Sequence, residues 1–106
     1  MSHLVDFEGM PWMEPGKHVR SKTIIRGNQQ IRLVEFTHGF VETDWCLKGH
    51  ATYVLEGEFA SDYSGSIERY KAGDVIFVPK GEKDKHKAII EEGKRVLLLL
   101  FEILDD

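Results

Sequence analysis

The amino-acid sequence predicts an all-β fold, an antiparallel β-barrel or jelly roll formed by a single domain. Three observations support this prediction. Strand-length apolar runs separated by glycine turns fill most of the 106-residue chain. These runs amount to about eight or nine short strands at regular spacing, which is typical of a barrel or sandwich. Outside the last apolar run, no segment shows a convincing helical period.

The N-terminal 19 residues differ in composition from the rest of the chain. They contain two of the three prolines, Pro11 and Pro15, and glycines at positions 9 and 16. Proline lacks a backbone donor, so this composition predicts an extended arm rather than a regular element, with Trp12 fixing the arm to the barrel. The predicted organisation is an arm over residues 1–19 and one barrel domain over residues 20–106.

The first half of the barrel domain begins with a predicted hairpin. Residues 22–26 and 30–37 are rich in β-branched and aromatic residues, and Gly27-Asn28 between them is a turn signal. Strand-like residues resume at Val41. We expect them to continue into the segment that ends near Gly57, with an interruption at Lys48-Gly49.

The second half continues the strand pattern. Residues 58–63 and 66–71 flank Ser64-Gly65, a two-residue turn in which glycine adopts positive φ without a Cβ clash. The apolar run 75–78 is closed by Pro79, which cannot donate to a sheet.

The end of the chain contains two further candidate strands. A charged loop over residues 80–85 is expected in solvent, and residues 86–91 and 95–104 follow it. The last of these segments is continuous in leucine, so its pattern fits either a buried strand or a short helix. The neighbouring strands favour a strand.

The composition restricts the kinds of binding partner and the cellular compartment that we expect for this protein. The formal charge of −4 and the pI near 5.7 argue against a nucleic-acid or anionic-membrane surface, which would need clustered Lys and Arg. The longest apolar run, residues 96–101, is far below a membrane span of about 20 residues. A single cysteine cannot form an internal disulfide, and the first residues do not resemble a signal peptide. We therefore expect a cytoplasmic protein.

Two sequence blocks resemble the motifs of the cupin family. The first runs from Asp44 to Gly57, and its second half alternates polar and apolar residues as a half-buried strand does. The second has the pattern G-x5-P-x-G, matched as it stands by Gly73, Pro79 and Gly81. The resemblance extends over roughly residues 20–104 when flanking strands are included, and it implies a cupin-type barrel, or double-stranded β-helix.

The resemblance also implies where a metal would bind. Counting back from Gly57, the glutamate position of the first motif falls on His50, and the paired histidine positions fall on Asp44 and Cys46. The histidine position of the second motif falls on Asp84, with His86 two residues later. The predicted ligands are therefore Asp44, Cys46, His50 and His86. A donor set that includes thiolate suits one divalent transition metal, Zn or Fe rather than Mg.

The side-chain directions leave alternatives open. Residues two apart share a face of a strand, so Asp44 and Cys46 project together, but a one-residue slip would place Trp45 and Leu47 inside instead. Cys46 also suits a small buried apolar position, and Asp44 a turn. His86 follows a lysine-rich loop, where exposure is the ordinary expectation. We predict that His50 lies inside the barrel with at least two of the other three candidates.

Three functions fit the sequence. The N-terminal half, including Met10-Pro11-Trp12, looks like small cupins that process unsaturated sugar acids from pectin, which implies a metal-dependent enzyme on a sugar-acid-like substrate. A non-catalytic module that binds a small polar molecule is the second, and a metal-free structural cupin is the third. A thiolate pair of Cys46 with His50 or His86 is conceivable but has no local sequence signature. The apolar surface also predicts a homodimer through the N-terminal arm or an outer sheet face.

Overall fold

The computed structural model describes residues 3–104 and contains eight β-strands and one short 3₁₀-helix. The predicted all-β, antiparallel cupin-type barrel is confirmed. Within these residues the only helix spans three residues, so no helix there is long and apolar enough to cross a membrane. The elements are β1 (Met13–Gly16), β2 (Val19–Arg26), β3 (Gln29–Thr37), β4 (His50–Tyr63), β5 (Ser66–Lys71), β6 (Val75–Val78), the 3₁₀-helix (Glu82–Asp84), β7 (Lys87–Ile89) and β8 (Arg95–Ile103).

The longest strand, β4, connects the two layers of the barrel. The strands β1, β2, β3, β8 and β4 are hydrogen-bonded in that order, and all of these pairs are antiparallel. The first half of β4 lies between β8 and β6, and its second half lies between β5 and β7. One strand therefore contributes inward-facing side chains to both layers.

Gly57 marks the point at which β4 passes from one layer to the other. Its φ is +82°, and a Cβ at this position would lie 2.0 Å from the carbonyl oxygen of Arg95. Only glycine accommodates both the positive φ and this close approach of β8. The bend predicted at Gly57 is thus required by the backbone.

The core is built from alternate residues of the strands. On β8, Val96, Leu98 and Leu100 are buried, while Phe101 and Ile103 on the opposite face are exposed. This strand is continuous in apolar residues because both of its faces are apolar, which explains the ambiguity of its sequence. The prediction of a strand rather than a helix over this segment is confirmed.

The predicted hairpin turns are also observed. Gly27-Asn28 joins β2 to β3, and Ser64-Gly65 joins β4 to β5. Gly27, Ser64 and Gly65 have φ values of 63°, 58° and 102°, as tight two-residue turns require.

Two local predictions were wrong. A strand was expected from Val41 into the first motif, but residues 41–49 form only two isolated bridges, Val41 with Ile89 and Cys46 with His86. The N-terminal arm was expected to lack regular structure, but it contains β1 and the start of β2. Trp12 does hold the arm, since its ring lies 4.2 Å from the Arg20 guanidinium carbon. The domain boundary at residue 19 stays a prediction, and residues 1, 2, 105 and 106 lie outside the described residues.

Candidate functional site

A cavity of about 80 Å³ lies inside the barrel. Its polar lining residues come from strands β3 and β4 and from the segments around Cys46 and His86, and its apolar wall comes from β3, β4, β6, β7 and β8. The polar side chains are those of Arg32, Glu42, Cys46, His50, Thr52, Ser61, Tyr63 and His86, and the apolar ones are those of Phe36, Phe59, Ile76, Val78, Ala88, Leu98 and Leu100.

Strand geometry directs His50 and Thr52 into this cavity. His50, Thr52 and Val54 occupy alternate positions of β4, and Val54 is fully buried. Side chains two residues apart share a face of a strand, so His50 points to the same side as the core residue. The cross-strand partners of His50 and Thr52 on β6 are Val78 and Ile76, both buried in the wall of the cavity.

Cys46 and His86 are placed beside each other by a single backbone bridge. The Cys46 N–H donates to the His86 carbonyl at 2.9 Å, and the His86 N–H donates to the Cys46 carbonyl at 3.1 Å. His86 is only 7% exposed, so it does not follow the exposed alternative that its lysine-rich neighbourhood left open. The bridge brings into the barrel two residues that are distant in sequence and belong to no regular strand.

The two histidine rings meet through their Nε2 atoms, which are 3.1 Å apart. Their Nδ1 atoms are held by oxygens: that of His50 lies 2.7 Å from Thr52 Oγ1, and that of His86 lies 3.1 Å from the Asp84 carbonyl. A carbonyl only accepts, so His86 Nδ1 carries a hydrogen. When His86 is neutral, its Nε2 therefore accepts from His50 Nε2–H, and the Thr52 hydroxyl donates to His50 Nδ1.

The pKa values of the two imidazoles are shifted in opposite directions. Burial, and then the charge of His86, lowers the pKa of His50 to about 4, so His50 is neutral at pH 7. A hydrogen bond with the Cys46 thiol raises the pKa of His86, and the same hydrogen bond lowers the pKa of Cys46 against the effect of its burial. Each of these two groups thus favours the charged form of the other.

A partly buried ion pair lies beside the cavity, which Arg32 lines. The Arg32 guanidinium binds Glu102 in a bidentate manner, with Nε–Oε1 at 2.6 Å and Nη2–Oε2 at 3.0 Å, and Gln30 adds a hydrogen bond at 2.9 Å. Burial would raise the pKa of Glu102, but the hydrogen bonds from Arg32 and Gln30 outweigh it, and the pKa is lowered. Glu102 is thus a fully partnered carboxylate.

The sequence reasoning did not identify Arg32, Glu42 or Tyr63 as site residues. For Arg32 a signal was present, because Arg32, Val34 and Phe36 alternate along β3 and share its inward face. Glu42 accepts a hydrogen bond from the Ala88 N–H at 2.7 Å, a contact made outside regular strands that carries no sequence pattern.

Three of the four predicted site residues line the same cavity. Cys46, His50 and His86 do so, whereas Asp44 is exposed and is not among the lining residues. This arrangement gives His50 two of the neighbours that were expected for it. Metal ligation by these residues stays a prediction.

The described side chains do not form a complete metal centre. Among residues 3–104, no group of three or more His, Cys, Asp and Glu side chains is placed to hold a metal ion. A catalytic zinc site uses three protein ligands, and here only two imidazole nitrogens meet directly. With Asp44 in solvent, the fourth predicted donor is missing from the cavity.

A wider pocket of about 620 Å³ lies at the end of the barrel next to His50. It is formed by the start of β4 and the ends of β6 and β8, and it shares His50 and Val78 with the inner cavity. Most of its lining is apolar, including Phe77, Phe101 and Ile103. We call it the mouth pocket.

Solved structures with this architecture include cupins. KdgF from Halomonas sp. is 22% identical, with a TM-score of 0.76 over 100% of this chain and 96% of that chain. An RmlC-like cupin from Shewanella frigidimarina is 21% identical, with a TM-score of 0.77 over 99% and 93% of the two chains. This chain has the cupin fold.

A third structural neighbour is named as an enzyme. The polyketide cyclase RemF from Streptomyces resistomycificus is 20% identical, with a TM-score of 0.83 over 99% of this chain and 81% of that chain. No family model matches the chain, and neither does any curated protein. At these identities the likeness establishes the fold, so the chemistry must be argued from the cavity of this chain.

Proposed function

We propose that this cupin binds a small polar molecule inside its barrel. The observation that carries the proposal is the pair of imidazole Nε2 atoms, 3.1 Å apart, that meet in a cavity of the barrel with an apolar wall. A concave site with a few convergent polar groups and shifted pKa values is the usual form of a ligand site.

The size of the cavity restricts the ligand. Its volume of about 80 Å³ is well below the roughly 300–1,000 Å³ of pockets that hold drug-sized molecules. A molecule with only a few heavy atoms therefore fits within it. A sugar-acid-like ligand would have to place one end beside His50 and extend into the mouth pocket of about 620 Å³.

The hydrogen-bonding groups of the cavity determine which ligand atoms it can bind. His50 is neutral at pH 7, and a ligand oxygen beside its ring would replace His86 as the acceptor of its Nε2–H. Thr52 and Ser61 add hydroxyl groups, and these two residues are 2% and 5% exposed. These groups match a carbonyl or hydroxyl oxygen. We therefore propose small hydroxy and oxo compounds as the ligand class.

Thermal unfolding with a panel of glycolate, glyoxylate, pyruvate and acetamide tests this proposal. A ligand at 100 times its Kd stabilises the folded state by about 2.7 kcal/mol, which raises Tm by roughly 10 °C in a domain of this size. The shift should be lost in His50→Gln and kept in His38→Gln, an exposed histidine of the same chain. Equal shifts in wild-type protein and His50→Gln would contradict binding at His50.

A metal-dependent enzyme is the second candidate. The feature that favours it is the anchoring of both Nδ1 atoms by oxygens, which is the way metal-bound histidines are oriented. Elemental analysis of freshly purified, untagged protein decides between the two. Zinc or iron at one equivalent, lost in His50→Ala, would support this candidate, whereas metal-free protein that still binds a compound of the panel would leave the first proposal standing.

We also propose a cytoplasmic homodimer. The outer face of the barrel exposes neighbouring apolar rows: Phe77, Ala51 and Phe101 are cross-strand partners on β6, β4 and β8, as are Val75, Tyr53 and Leu99. Phe77 is 77% exposed and Val75 is 71% exposed, so this face has the character of an interface.

Sedimentation velocity at micromolar concentration tests the dimer. Phe77→Ser should shift the protein toward the monomer, because it removes the most exposed aromatic side chain of the outer face. Ile67→Ser is the matched control, since Ile67 is 55% exposed on β5 and lies outside these rows. A wild-type protein that is only monomeric would refute this part of the proposal.

A further inference from the structure

We infer that the cavity binds uncharged ligands in preference to carboxylates, and that Glu102 sets this selectivity by neutralising Arg32. The inference rests on the proposed function, since it specifies the charge of the molecule that the same cavity binds. It is carried by the ion pair beside the cavity and by the carboxylate of Glu42 in the cavity lining.

Glu102 lies next to the residue at which the ligand is proposed to bind. Its side chain is only 4% exposed and belongs to the inward face of β8. Ala51 of β4 is the cross-strand partner of Phe101 of β8, and the two strands are antiparallel. The next positions of this register are His50 and Glu102, which therefore lie side by side on the inward face. A ligand that contacts His50 is thus close to the Glu102 carboxylate.

The Arg32 guanidinium, which lines the cavity, is bound to a carboxylate of the protein itself. Its Nε and Nη2 donate to the two carboxylate oxygens of Glu102, a bidentate pair in which the two charges cancel. Nη1 has no acceptor among residues 3–104, so it is the nitrogen left for a ligand oxygen. After burial and the charge of His86, the charges of Glu102 and Arg32 act on the pKa of His50 in opposite directions. The pair is therefore nearly neutral at the place where the ligand binds.

The charge that remains in the lining is negative. Glu42 lines the cavity, so Arg32, Glu102 and Glu42 together contribute one positive and two negative charges. Transfer of a proton between Cys46 and His86 leaves the summed charge of these two residues unchanged. The balance therefore does not depend on which of them holds that proton.

A carboxylate ligand is disfavoured in this cavity for two reasons. It would leave water for a lining with an apolar wall, and it would meet two carboxylates and a cation that is already paired. An uncharged amide, aldehyde or alcohol avoids both effects, and its oxygen can accept from His50 or Arg32. A larger acid has to keep its carboxylate in the mouth pocket, whose lining includes Lys48 and Lys80.

Isothermal titration calorimetry at pH 7.5 with matched acids and amides tests the inference. Each compound of the panel is compared with its counterpart, so that the four pairs are the acids and amides of acetate, glycolate, glyoxylate and pyruvate. The two members of a pair have the same number of heavy atoms and differ in charge. We expect wild-type protein to bind the amide roughly ten-fold tighter than the acid. Equal affinities, or tighter binding of the acid, overturn the inference.

Variants of the ion pair test the role of Glu102. Glu102→Gln should move the preference toward the acid, because the Arg32 guanidinium loses its carboxylate, and the ratio of the two affinities should change by roughly ten-fold. Arg32→Gln combined with Glu102→Gln removes both charges and should restore the preference for the amide. The matched control is Glu58→Gln, which removes a carboxylate from an exposed ion pair outside the cavity and should keep the wild-type ratio.

A second variant keeps the test decisive if Glu102→Gln fails to fold by circular dichroism. Glu42→Gln keeps an oxygen for the Ala88 N–H but removes a negative charge from the lining, so it should also move the ratio toward the acid. A ratio unchanged in folded Glu102→Gln, or in Glu42→Gln where it takes its place, overturns the inference.

The two proposals fail separately. Acids and amides that bind equally well, with binding lost in His50→Gln, overturn only the charge selectivity. A preference for the amide that persists in His50→Gln overturns only binding at His50. Wild-type protein that binds no member of the four pairs overturns both.

Discussion

Acidification should destabilise the protein through His50. Burial and the charge of His86 lower its pKa from 6.5 to about 4. The folded state therefore takes up a proton on His50 less readily than the unfolded state does. The resulting destabilisation of the folded state is zero above pH 6.5 and grows as the pH falls toward 4. At 1.36 kcal/mol for each pKa unit, the full loss is about 3 kcal/mol, of which about 2 kcal/mol is reached at pH 5.

The opposite behaviour of His86 makes a matched comparison necessary. Its pKa is raised, so its contribution stabilises the folded state at low pH and is lost as the pH rises through that raised value. Urea unfolding of wild type, His50→Gln and His38→Gln at pH 8, 6.5 and 5 isolates the contribution of His50 to the free energy of unfolding. Between pH 8 and pH 5, the free energy of unfolding of His50→Gln should fall by about 2 kcal/mol less than that of the other two proteins. Parallel curves for all three would refute the reasoning.

Two further perturbations test the barrel itself. Gly57→Ala should lower the free energy of unfolding by about 3 kcal/mol or more, because φ is +82° and the new Cβ would lie 2.0 Å from the Arg95 carbonyl oxygen. Gly65→Ala also meets a positive φ, +102°, but has open space, so thermal unfolding should show a smaller loss of stability than for Gly57→Ala. Equal losses would contradict the close-approach argument. Glu102→Gln should cost about 2–4 kcal/mol at pH 7, somewhat below the figure for a fully buried pair because the Arg32 side chain is 34% exposed. The control is Glu58→Gln, which breaks an exposed ion pair. If urea unfolding showed the same loss of stability for both variants, the prediction for Glu102 would be wrong.

The strands could be predicted from the sequence because their signals are local. Two-residue turns such as Ser64-Gly65 fix where one strand ends and the next begins. Alternating burial then follows from strand geometry, as in β8, where Val96, Leu98 and Leu100 face the core. The cupin-like pattern of Gly73, Pro79 and Gly81 added the order of the elements, which local periodicity does not contain.

The segment before β4 could not be predicted in the same way. Residues 41–49 were expected to continue as a strand, and the side-chain directions of Asp44 and Cys46 were inferred from that expectation. The segment instead makes two isolated bridges. Outside a ladder the rule that residues two apart share a face does not apply, so Asp44 lies in solvent while Cys46 lines the cavity.

The fold and the chemistry of this barrel depend on different residues. The core consists of apolar side chains such as Val54, Val96 and Leu98, whose burial does not depend on which polar groups occupy the cavity. The register they set brings Cys46 beside His86 and His86 against His50, whatever those positions carry. A thiol and an imidazole at these positions therefore leave the fold intact while changing what the cavity can do. For this reason the motif spacing predicted the barrel, whereas the chemistry of the cavity is set by the side chains that stand at positions 46, 50 and 86.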